Sequence, residues 1–112
     1  MRWIDRGLSF LLVLGGIGHT FGVLHFYKDP HTLFWSLTAS LLIFLLAAVN
    51  LLRSWRPDRA LATITACASA AYFADTLCFG RLIGHMTDFR VILFGVIALG
   101  LTAFGVRDAL AR

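Results

Sequence analysis

The chain has 112 residues, 59% of them hydrophobic and 14% charged, with a formal net charge of +4. A mean hydropathy of +0.81 excludes an ordinary soluble domain, and the length allows one domain, 1–112. Nine Arg and one Lys face six Asp and no Glu, and they stand in short segments between apolar runs. That placement fits anionic headgroups and membrane topology and argues against nucleic acid as a partner.

Four apolar runs follow one another, at about 7–27, 32–52, 60–80 and 87–106. A spanning helix needs about 20 mostly apolar residues, because each rises about 1.5 Å and the hydrocarbon core is about 30 Å thick. The expected fold is therefore all-α, an integral membrane four-helix bundle. The connections are short, so sequential helices should pack antiparallel.

The first run opens on charge and continues in apolar residues, as a signal peptide does. No small-x-small site interrupts it, so it reads as a retained span. It carries Gly15, Gly18 and Gly22, a smooth stripe suited to close helix packing. It also carries His19 and, near its end, His25. Pro30 and Pro57 fall in the first and second loops. Asp29 or Thr32 is the expected cap of the second helix, Asp58 of the third and Thr87 of the fourth. The second run shows Ser36, Ser40, Ala47 and Asn50 on one side.

The third run is small and polar for a span, with Ala66, Ala70 and Ala74 at intervals of four. Its cysteines, Cys67 and Cys78, are too far apart on one helix to bridge, and no CxxC exists for thiol relay. Asp75 is embedded about 8 Å from the outer end, with His19 about 4 Å deeper on its own helix. Tyr72 shares the Asp75 face. Alternatively Asp75 reaches headgroups or pairs with Arg81. The fourth run repeats the small-residue theme with Gly95, Gly100 and Gly105.

Charge sets the expected orientation. Arg2, Arg6, Arg53, Arg56, Arg59, Arg107 and Arg112 stand on the side of the termini and second loop, against Lys28, Arg81 and Arg90 on the other. Lys and Arg concentrate on the cytoplasmic side of inner-membrane proteins, which places both termini in the cytoplasm of a bacterium. Aromatic residues agree, with Trp3 and Trp55 at the inner interface and Tyr27, Phe34, Trp35, Phe79 and Phe89 at the outer.

An ionisable residue inside a bilayer is costly, about 3 kcal/mol on insertion scales, and usually has a role. All four histidines lie in the outer half, near Asp75. The expected ligand-binding set is His19, Tyr72, Asp75 and His25, holding a lipid-like or quinone-like molecule among apolar walls. The accompanying role is small-molecule binding or service as an accessory subunit, alone, as a homo-oligomer or within a larger membrane complex. Two alternatives stand beside it. One is a dimeric proton-coupled exporter of the small multidrug resistance type, matched in size and hydropathy only, since that family's acid lies in the first span. The other is a redox subunit holding haem or a metal, the latter at His25, His85 and Asp75. No residue is expected to be catalytic, because no GxSxG or HExxH appears. No cofactor is identified by any motif.

The segment LLVLGGIGHTFG resembles the opening helix of the DoxX-like superfamily of small four-helix bacterial membrane proteins, with His19 in its Gly-x-x-His setting. LLAAVNLLRSWRPDRAL is similar to the junction of spans two and three in proteins of that kind. The resemblance implies a four-span bundle, in some members a subunit of a membrane oxidoreductase system. It carries over only His19 and the adjacent glycines.

Overall fold

The computed structural model describes residues 2–111. It is all-α: α1 spans Arg2–Phe26, α2 Pro30–Trp55, α3 Arg59–Leu82 and α4 Phe89–Leu110. All four are long and apolar enough to cross a membrane, which marks a multi-pass membrane protein.

The helix ends follow local chemistry. Asp29 caps α2 by accepting from the Thr32 backbone N–H at 2.9 Å, with Pro30 in the first helical position rather than in the loop. Asp58 caps α3 by accepting from the Ala60 and Leu61 N–H groups. The cap of α4 is Asp88, accepting from the Arg90 N–H at 2.9 Å, and not Thr87. An aspartate there satisfies the first-turn donors and brings a negative charge to the positive end of the helix dipole. Residue Arg56 precedes Pro57, which disfavours helical backbone before it, and α2 stops at Trp55. At the end of α3, Gly84 adopts φ 75°. Its N–H bonds the Arg81 carbonyl, and the His85 N–H bonds the Gly80 carbonyl. That pair of bonds closes the helix and needs the left-handed backbone that glycine adopts freely.

Helix α1 packs chiefly on α2, and α3 chiefly on α4; α1 also meets α4, and α2 meets α3. The backbones of α1 and α3 stay apart. Leu12, Ile43, Leu46, Ala47, Ile97 and Leu101 form the buried apolar centre. The outer surface is also apolar: Phe21 is 69% exposed, Ile64 65% and Val96 61%. Among the described residues, nine of the buried side chains are polar or charged, against eleven apolar ones. Grease outside and polar groups inside is the arrangement that lipid as solvent favours.

Small residues make the closest crossings only in places. A Cβ added at Gly105 would lie 3.0 Å from the Ala66 Cα, and one at Gly100 would lie 2.7 Å from Leu8. Ala66 is buried in that contact, whereas Ala70 and Ala74 are exposed, so the alanine stripe is not one continuous packing face.

Candidate functional site

Polar residues gather at two levels. The first is the end that holds the chain termini. Asp5 and Arg53, 0% and 1% exposed, meet there in a two-pronged pair. Arg53 Nη2 donates to Asp5 Oδ1 at 2.6 Å, and Nη1 donates to Asp5 Oδ2 at 2.9 Å. Nη1 also donates to Asp108 Oδ2 at 2.7 Å, and Arg2 donates to the same oxygen at 3.0 Å. The Asn50 carbonyl oxygen accepts from Arg53, and its amide donates to Ser69 Oγ at 3.1 Å. One network thus joins α1, α2, α3 and α4. No buried side-chain N or O among the described residues lacks a partner. A fully satisfied ionic network inside a low-dielectric medium locks geometry, and this one has no free group to offer a ligand.

The second level lies beyond the apolar centre, toward the loops 27–29 and 83–88. There a cavity of about 860 Å³ opens between the helices. Its wall takes Gly15, Gly18, His19 and Gly22 from α1, Ser36 and Ile43 from α2, and Phe94 and Arg90 from α4. From α3 it takes Tyr72, Asp75, Thr76 and Phe79, spaced by three, one and three, which is one helical face. Glycines make room for it. A Cβ added at Gly18 or Gly22 would meet nothing within 4 Å, while Gly15 is covered by the Phe94 ring at 2.7 Å. The packing expected of the glycine stripe is therefore present at Gly15, and at Gly18 and Gly22 the missing side chain is cavity volume instead.

Three of the four expected ligand-binding residues, His19, Tyr72 and Asp75, line this single cavity. His19 and Asp75 form no bond with each other, because α1 and α3 stand apart across the cavity. His19 Nδ1 lies 2.7 Å from Ser40 Oγ, which fixes the ring; Nε2 has no protein partner among the described residues. The Tyr72 ring meets Phe94 edge-on at 6.4 Å. Asp75 is exposed, lines the cavity and has no hydrogen bond or ion pair among the described residues; the alternative pairing with Arg81 is not formed. His25 lies outside the cavity wall, exposed, with its ring edge-on to Phe26 at 4.8 Å.

Arg90 at the cavity rim is already engaged. Its Nε donates to Asp88 Oδ1 at 3.0 Å and its Nη2 to Oδ2 at 3.3 Å, with the guanidinium 5.4 Å above the Phe79 ring. The Arg90 side chain, and then its backbone N–H, hold the Asp88 carboxyl below the usual range. The Thr32 backbone N–H, and then its hydroxyl, do the same for Asp29.

Among the described residues no three His, Cys, Asp or Glu side chains gather closely enough to ligate a metal; His25, His85 and Asp75 are not brought together. Sequence reasoning missed the ionic network because Arg53 and Asp5 sit where interfacial charges are normal. It also missed Arg90, Phe94 and Ser36 as cavity residues. The signal was present in Arg90 and Phe94, which share a face of α4 at a spacing of four. No known protein family, curated protein or solved structure shows detectable similarity to this chain.

Proposed function

We propose that the chain is a non-enzymatic multi-pass protein of the bacterial inner membrane. Its helices form an antiparallel bundle with both termini in the cytoplasm, and it binds one small, largely apolar molecule between them. The observation that supports this reading is the cavity of about 860 Å³. Ligand sites are typically concave spaces of about 300–1,000 Å³, with apolar walls and a few converging polar groups. Here the walls are Leu, Ile and aromatic side chains, and the anchors are His19, Tyr72 and Asp75. The His19 ring, oriented by Ser40, presents Nε2 for a hydrogen bond to a ligand oxygen. The buried ionic network holds the opposite end shut, so the site is a blind pocket and not a path through the bundle. Among the described residues no cluster of ligands supports the metal form of the redox alternative. The DoxX-like resemblance, carried by the first helix and by the junction of the second and third, lends this reading no further support.

Native mass spectrometry of the protein released from mild detergent tests the reading. The expected spectrum carries a discrete adduct of small-molecule mass that Gly18→Leu, which projects a side chain into the cavity, removes or weakens. A spectrum without an adduct from either a detergent or a nanodisc preparation, or an adduct indifferent to Gly18→Leu, would overturn it.

A further inference from the structure

The cavity is not electrically neutral in its free groups. Two charged residues line it, Arg90 and Asp75. Arg90 is held by both oxygens of Asp88 at 3.0 and 3.3 Å. Asp75 has no counter-charge within ion-pair distance among the described residues. The five other aspartates are each engaged. Asp5 and Asp108 lie in the ionic network, Asp88 pairs with Arg90, and Asp29 and Asp58 cap helices. Asp75 is the one carboxylate left with neither role, and it shares the cavity wall with the aromatic rings of Tyr72, Phe79, Phe89, Phe94 and Trp35.

Aromatic faces carry negative quadrupole charge and attract cations, most strongly where water is excluded. An unpaired carboxylate among such rings is matched by a ligand that is apolar over most of its surface and positively charged at one point. An anion would meet Asp75 and the π faces, with the single cation at the rim already neutralised. Resting on the proposed ligand cavity, we propose that its occupant is a lipophilic cation, with Asp75 as the counter-ion. His19 and Ser36 stand across from Asp75 on α1 and α2 and provide hydrogen bonding without charge pairing.

Two ions of nearly the same shape and opposite charge test this, tetraphenylphosphonium and tetraphenylborate. Binding of each is measured by isothermal titration on the full chain in nanodiscs of zwitterionic lipid, with the signal of protein-free nanodiscs subtracted, because the interfacial dipole potential draws a hydrophobic anion into lipid more strongly than the matching cation. Tetraphenylphosphonium is expected to bind saturably and tetraphenylborate at least about tenfold more weakly. Asp75→Asn is expected to weaken the cation about ten- to hundredfold, and Asp75→Glu to retain it. Asp75 has no partner to lose, so the Asn variant has no structural reason to misfold; an unchanged melting temperature verifies this. Equal or tighter binding of the borate, or cation binding unaltered by Asp75→Asn, overturns the proposal. If neither ion binds while a neutral adduct persists in native mass spectra and is removed or weakened by Gly18→Leu, the cation inference fails and the ligand cavity stands. If adduct and ions are both lacking, both readings fail.

Discussion

Arg53 is a charged side chain with almost no solvent exposure, enclosed between the helices near the end of α2. Its stability is conditional on its partners. Two charges leaving water cost several kcal/mol each, and close two-pronged geometry to Asp5 offsets much of that. Removing one partner strands the other. Arg53→Met is therefore expected to lower stability by about 3–5 kcal/mol, read as a fall in melting temperature in mild detergent. The double variant Asp5→Leu with Arg53→Met removes both charges and should recover most of the loss, since a buried pair replaced by apolar groups of similar volume is often neutral. A double variant as unstable as the single one would show that Asp108 and Asn50 depend on Arg53 more than Asp5 does. Nothing in the sequence marked this pair as buried. Asp5 and Arg53 are 48 positions apart, and each alone looks like an ordinary interfacial charge. The cavity residues were more legible, because a His or Asp in the middle of an apolar run has a cost that a charge at its end does not. What the pattern could not tell was whether His19 and Asp75 touch, which depends on which helices are neighbours. Being on diagonal helices, they face each other across open space.

At the scale of the helices, the glycines serve two opposite purposes, and substitution separates them. A side chain at Gly105 collides with the backbone of α3 at Ala66, which cannot rotate away. Gly105→Val should cost about 1–3 kcal/mol by overpacking, again measured as melting temperature in detergent. Gly18→Ala has open space around it, and alanine favours helix over glycine by up to about 1 kcal/mol. Its expected effect is an unchanged or slightly raised melting temperature. A marked fall at Gly18 would mean that α1 packs more closely there than the cavity allows. Spacing alone does not distinguish these roles: Gly15, Gly18 and Gly22 form a stripe as regular as any packing motif. The number and order of the helices were legible because hydropathy runs are long and interrupted by charge and proline. Their ends extend three to five residues further than the apolar runs at several termini, for example to Arg2 and Leu110. Charged first and last turns continue a helix as readily as apolar ones do, so composition ends before the hydrogen bonding does.

For the whole molecule, the open question is which way the cavity end faces. Acidic residues do not decide it, since Asp5, Asp58 and Asp108 lie toward the termini and second loop, and Asp29, Asp75 and Asp88 toward the other end. The rule that sets orientation counts Lys and Arg near span ends, and Asp contributes little. Arg53 is enclosed by the network and unavailable to headgroups, so it drops from the count. Seven minus that one still leaves six against Lys28, Arg81 and Arg90; Arg112, among the six, lies outside the described residues. The bias therefore survives burial of its most interior member, and under the proposed orientation the cavity lies in the outer leaflet. The native thiols Cys67 and Cys78, exposed on α3, are first replaced by alanine, so that any label reports the introduced cysteine. In that background, Thr87→Cys in the last loop should be labelled in intact cells by a membrane-impermeant maleimide. Ala111→Cys near the C-terminus should label only after the membrane is permeabilised. The reverse pattern would put the cavity on the cytoplasmic side, and labelling of both positions in intact cells would reveal insertion in two orientations. The expected pattern constrains the ligand as well. A blind cavity in the outer leaflet, shut at the cytoplasmic end by Asp5, Arg53 and Asp108, can exchange its occupant with the outer half of the membrane while the network remains intact.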